Sequence, residues 1–245
     1  MRMIRTHAQP SNRILDMLPS SERKRILSAC EVTQASFGSV LCESGDRYKQ
    51  VYFPVTGIIS LLASFRDHPA LEMGLVGNEG MLGATLALGV PNAPLQAVVQ
   101  GAGSLLRLPA VRLRRELREC PVLLSKLHRY LYVRMTQLSQ LAACTHFHAI
   151  EPRLARWLLM THDRAFADHF HLTHEYLAAM LGVRRSGVTI AAGALQSREL
   201  ISYSRGEIRI LDRTGLESAS CECYGILIKD YEQTMDRQAP ALSRS

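Results

Sequence analysis

The sequence predicts an α+β chain: a β-roll, then a long helix, then a C-terminal winged helix-turn-helix. Three observations predict it. Short β-rich runs crowd residues 37–108, a heptad pattern follows Pro121, and two short amphipathic stretches meet at Gly182 ahead of a strand pair. These changes of texture place the expected boundaries at 11–119, 120–147 and 148–245.

The strands come first. Val40-Leu41, Val51-Tyr52-Phe53, Ile58 to Leu62, Leu71 to Val76, Ala97 to Val99 and Leu105 to Leu108 are β-rich, and Gly or Pro separates many of them. Strands so closely spaced leave no room for helical crossovers, which favours a small antiparallel roll over a parallel sheet. After Pro109, Val111, Leu113 and Leu117 among four arginines make a short amphipathic helix.

Pro121 suits the first turn of the next helix, where no backbone N–H is needed. Leu124, Leu131 and Leu138 recur every seven residues, with His128, Met135 and Ala142 four after each. That is a/d spacing over about three heptads, the pattern of a dimer seam. Leu127 is counted with the seam, although Leu127, Tyr130 and Leu141 also suit a helix laid on its own domain. A further amphipathic helix carries Leu154, Trp157, Leu158 and Met160, and Asp163 to His171 reads as a loop or frayed helix end.

The 245 residues are 47% hydrophobic and 21% charged, which excludes disordered, collagen-like and low-complexity chains. No apolar run approaches the ~18 residues of a membrane span, and Met1 to Pro10 shows no apolar leader region, so a cytoplasmic protein without membrane contact is expected. Net charge is +7, yet residues 151–245 are balanced at 12 basic and 12 acidic groups. Charge alone therefore does not place a nucleic-acid surface in the last third.

Pattern does point there. Thr173 can cap a helix whose apolar stripe is Tyr176, Leu177, Met180 and Leu181, ended by Gly182. A second helix from about Arg184 to Ser197 buries Val188, Ala191, Ala192 and Leu195. In a helix-turn-helix the second helix enters the major groove N-terminus first. Its early exposed side chains are then Arg184, Arg185, Ser186 and Thr189, and arginine can grip guanine through two parallel hydrogen bonds. Leu200 to Leu211 reads as a hairpin wing, placing Ser204, Arg205 and Arg209 near phosphates, and Thr173 and His174 can contact phosphate from the first helix. By pattern alone, a solvated helical hairpin with no nucleic-acid role fits equally well.

The run Leu172-Thr173-His174-Glu175-Tyr176-Leu177-Ala178-Ala179-Met180-Leu181-Gly182-Val183-Arg184-Arg185-Ser186-Gly187-Val188-Thr189, with Leu200-Ile201 and the wing, resembles the C-terminal domain of the Crp/Fnr transcription regulators. Val51 to Ile59 resembles that family's β-roll strands, and the heptad helix occupies its dimerisation position. The resemblance implies a cyclic-nucleotide-binding-like roll and a cytoplasmic homodimeric regulator that binds pseudo-palindromic double-stranded promoter DNA, with RNA polymerase a further partner if it activates. The cyclic-AMP-binding members carry a Gly-Glu pair and a later Arg-Ser, where this chain has Gly83-Ala84 and Leu95-Gln96. Without that arginine a buried phosphate would be unpaired, so dependence on cyclic AMP is not expected. Gly83, Ala84, Thr85, Leu95 and Gln96 remain the candidate pocket for an unidentified effector.

No cofactor or metal is expected. His146, His148, His162, His169, His171 and His174 crowd one stretch without an HxxxH pair beside a carboxylate, and the six cysteines show no CxxC pair. Cys221 and Cys223 are read within one C-terminal helix starting at a Thr214–Glu217 capping box, Cys223 as core and Cys221 as a reactive thiol. No P-loop, GxSxG, HExxH or dinucleotide fingerprint points to an enzyme. The competing reading is a ligand- or metal-sensing module whose C-terminal domain docks a protein partner.

Overall fold

The computed structural model describes residues 11–165 and 167–236; the reading of Met1 to Pro10 lies outside them. The chain divides into two compact units, 1–61 with 75–123, and 62–74 with 124–245.

The first unit opens with helices α1 (Arg13–Asp16) and α2 (Ser20–Ser28), then strands β1 (Glu31–Ala35), β2 (Val40–Cys42), β3 (Gln50–Pro54), β4 (Ile58–Phe65) and β5 (His68–Val76). A 3-10 turn (Ala84–Leu88), β6 (Gln96–Gly101), β7 (Gly103–Pro109) and α3 (Ala110–Glu119) follow. The strands form two sheets, ordered β1-β7-β3 and β2-β6-β4-β5. β1 and β3 flank β7 antiparallel, and β2 pairs antiparallel with β6. This is the expected roll, with β1 added: only its Val32 and Ala35 are apolar, and Val32 lies exposed, so no alternation announced it. Val51, Phe53, Ile58, Ile59, Leu75, Leu105, Leu108 and Leu113 form the buried centre. Asn12 ties α1 to the roll. Its amide donates to the carbonyls of Pro54 (3.0 Å) and Gly80 (2.8 Å), while its Oδ1 accepts from the Ile14 N–H.

Helix α4 (Pro121–Phe147) leads into the second unit, followed by α5 (Ile150–Ala165), β8 (His169–His171), α6 (His174–Leu181), α7 (Arg185–Ser197), β9 (Ile201–Ser204), β10 (Glu207–Ile210), α8 (Arg213–Ala219) and α9 (Cys223–Asp236). The outer ends of β4 and β5, residues 62–74, belong to this unit too. Trp157 donates its indole N–H to Glu72 there, at 2.8 Å.

Three sequence expectations change here. Leu127 is fully buried within its own chain, on the face that also buries Tyr130 and Val133, so it is a core residue and has no area to give a seam. The remaining heptad residues lie outward: His128, Met135 (58% exposed) and Ala142 are exposed, and Leu124, Leu131 and Leu138 are half-buried. The expected loop at 163–171 is partly regular, since α5 runs to Ala165 and β8 pairs with β10 in the order β8-β10-β9; Phe166 lies outside the described residues. Finally, the C-terminal helix is two helices. Asp212, whose carboxylate accepts from the Gly215 N–H (3.0 Å), caps α8 in place of Thr214, and the chain turns extended at Ser220 before α9.

Candidate nucleic-acid interface

α6 and α7 form the helical hairpin. The Thr173 hydroxyl oxygen accepts from the Tyr176 N–H (3.1 Å), starting α6 where the sequence suggests. Gly182 ends it at φ +64°, a left-handed conformation that glycine adopts without steric penalty. Buried Arg153 of α5 adds a clamp by donating to the Leu181 carbonyl, one of the last acceptors of α6. α7 sinks Val188, Ala191, Ala192 and Leu195 inward, as expected. Arg185, Ser186, Thr189, Ile190 and Gly193 therefore face outward along the helix, with Arg184 exposed at its N-cap. No side chain caps this helix.

Among the described residues Arg184, Arg185 and Arg205 form no ion pair, whereas Arg198 is held by Glu151 (3.0 Å) and Arg213 by Asp163 (2.7 Å) and Glu217 (3.0 Å). Open charges thus stand at the leading edge of α7 and at the wing tip, and exposed Arg209 of β10 is likewise in no ion pair among the described residues. That tip is a two-residue turn, Arg205 (φ +51°) and Gly206 (φ +85°), the left-handed pair of a type I′ hairpin. Ser204 and Arg205 are exposed beside it.

His174 and Thr189 meet each other. The imidazole Nδ1 lies 3.0 Å from the Thr189 Oγ1, and that hydroxyl donates to the Arg185 carbonyl (3.1 Å), which assigns the imidazole proton to Nδ1. The ring stacks on Tyr203, centroids 4.4 Å apart, and Tyr203 donates to the Leu172 carbonyl (3.1 Å). Burial, then the Arg185 charge, hold His174 below its ordinary pKa, so it stays neutral and joins the wing to both helices. Tyr203 was not foreseen: a single aromatic in a short strand carries no signal of its partner.

A cavity of about 1230 Å³ borders Phe65, Leu71, Tyr176, Val183, Arg184 and Arg185, so the two arginines sit at its rim as well as on the outward helix face. In the roll, Gly83 has φ +94° and starts the 3-10 turn, the Thr85 hydroxyl is buried with no partner among the described residues, and the Gln96 amide donates to Glu43 (2.8 Å). A cavity of about 400 Å³ in the roll lies elsewhere, against Leu41, Cys42, Arg47, Tyr48, Gln50 and Tyr52.

A helical hairpin with an open arginine edge and a three-stranded wing is a winged helix-turn-helix. Residues 152–219 match the Crp-like helix-turn-helix domain, which covers α5 through α8. The fold is similar to that of FixK2 from Bradyrhizobium japonicum (15% identity, 78% of this chain and 98% of that one, TM-score 0.66). It is likewise similar to CLP, the c-di-GMP responsive global regulator of Xanthomonas campestris (16%, 78% and 99%, 0.64), and to a Crp/Fnr-family regulator from Eubacterium rectale (17%, 84% and 97%, 0.63). No curated protein matches the chain in sequence. The chain has the fold of the Crp/Fnr-type transcription regulators, with a Crp-like helix-turn-helix domain at 152–219.

Proposed function

We propose that this chain is a homodimeric, sequence-specific transcription regulator that acts by binding rather than catalysis, each protomer laying α7 in one half-site of a pseudo-palindromic promoter. The observation that carries the reading is the unpaired, outward pair Arg184 and Arg185 at the start of a helix whose opposite face is core. Arginine at that place reads guanine, and Ile190, 75% exposed, offers an apolar surface suited to a thymine methyl. The outward heptad face of α4 supports the pairing of two copies. Among the described residues no helix is long and apolar enough to cross a membrane.

The test is a gel-shift titration on promoter fragments over a range of salt. Binding through phosphates falls steeply as salt rises, because each contact releases condensed counterions; docking of a protein in an apolar groove does not. Arg205→Ala should weaken all sequences alike and reduce the salt slope by about 1, the signature of a phosphate contact. A change of sequence preference in that variant would instead make Arg205 a base reader.

We further propose that cyclic AMP does not control it. The positions matching the nucleotide-binding pairs offer no carboxylate at Ala84 and no guanidinium at Leu95, and the neighbouring Gln96 is bonded to the carboxylate of Glu43. A negative group beside that place opposes a phosphate. Saturating cyclic AMP should leave promoter affinity unchanged and give no heat in calorimetry; saturable micromolar binding would defeat this part of the reading.

A further inference from the structure

Four donors from distant parts of the second unit converge on one point. Cys144 lies in the last turn of α4 and His148 one turn later, so they share a face. Cys221 and Cys223 flank Glu222 where the chain turns from α8 into α9. The Cys144 and Cys221 sulfurs are 3.7 Å apart, the Cys223 sulfur is 3.5 Å from the His148 Nδ1, and all four donor atoms lie within 4.8 Å of one another. The three cysteines are 1%, 5% and 0% exposed.

From these positions we infer a mononuclear zinc-type site with ligands Cys144, His148, Cys221 and Cys223, which ties the end of α4 to the α8–α9 junction.

The distances argue for it directly. Zinc bound tetrahedrally at about 2.3 Å from sulfur and 2.0–2.1 Å from nitrogen sets its ligands about 3.8 Å (S to S) and 3.6 Å (S to N) apart, close to the Cys144–Cys221 and Cys223–His148 separations, with every other pair within 4.8 Å. A disulfide needs sulfurs about 2.05 Å apart, and all six cysteines are free. An iron-sulfur cluster spreads its protein ligands over more than one iron, whereas these donors surround a single centre. The surroundings match as well. The far nitrogen of His148, Nε2, faces the Glu222 carboxylate at 3.3 Å, the carboxylate–histidine arrangement that fixes the tautomer and ring of a ligating imidazole. The Gln140 amide donates to the Cys223 sulfur (3.1 Å). Four protein ligands leave no open position, which makes the site structural rather than catalytic.

The test uses the full-length chain, untagged, purified without chelator under reducing conditions. Elemental analysis should give one zinc per chain, and replacement by cobalt should give the intense visible absorption of tetrahedral thiolate coordination. Cys144→Ser and Cys221→Ser should lose the metal, and Cys30→Ser and Cys42→Ser should keep it. Since a ligand variant can fail to fold, Glu222→Gln is measured too: it leaves all four donors in place and should weaken zinc by about 10- to 100-fold in a chelator competition. In the wild type, stripping zinc with a chelator should lower Tm, and added zinc should restore it. Protein purified without metal that takes up no zinc, zinc retained by Cys144→Ser, iron with acid-labile sulfide, or a Cys144–Cys221 disulfide in fresh protein would each overturn the assignment.

Discussion

Arg185→Ala is expected to lower affinity for the cognate promoter by about 1–3 kcal/mol, roughly 5- to 150-fold, and to relax specificity at a single base pair. Arg185 is the first residue of α7, exposed and, among the described residues, in no ion pair, so no described carboxylate competes for its guanidinium. Its removal leaves the core untouched, because Val188, Ala191, Ala192 and Leu195 on the other face hold the helix. Competition gel shifts against a library randomised at each half-site position distinguish the outcomes. Uniform weakening would make Arg185 a phosphate anchor, and no change would remove it from the interface.

Met135→Glu is expected to separate the proposed homodimer and, with it, to abolish promoter recognition. Met135 is 58% exposed in the single chain and sits between half-buried Leu131 and Leu138, so a carboxylate there costs the isolated protomer little. In a seam the same carboxylate is desolvated and meets its own copy. A single recognition helix then reads one half-site, and affinity falls toward the non-specific level, a loss of about 10³-fold or more. Sedimentation equilibrium gives the mass and gel shift the affinity. Leu127→Ala is the contrast: buried at 0% exposure, it should cost about 2–5 kcal/mol in urea unfolding and leave the dimer intact. A Met135→Glu protein that remains dimeric would place the seam on another surface.

Much of this architecture is legible in the sequence because local physics decides it. The Thr173 cap, the apolar stripe behind it and Gly182 specify α6 within ten residues, and the inward set of α7 follows from a period of 3.6. The roll strands are legible because Gly and Pro punctuate them. What was missed depends on partners far along the chain. Heptad spacing around Leu124 and the buried face around Leu127 overlap on one helix, and spacing alone does not say which face the chain covers. β8 has one inward residue, Phe170, between two exposed histidines, too short for alternation to register. The thiol cluster joins residues 75 and 77 positions apart in sequence, and the intervening helix break at Ser220, which lets Cys221 and Cys223 turn to the same place, was hidden by a continuous helical pattern.

Arg184 occupies the N-cap of α7 where Ser, Thr, Asn or Asp would contribute about 1 kcal/mol by bonding the first amides. The opening turn is thereby left less firmly fastened than it could be, with its N–H groups and the positive end of the dipole turned outward beside two cations. A phosphate oxygen is the acceptor such an end takes up most readily. In the proposed complex the duplex would supply from outside what the polypeptide omits, and the rigidity of the reading edge would become a property of the complex rather than of the free chain.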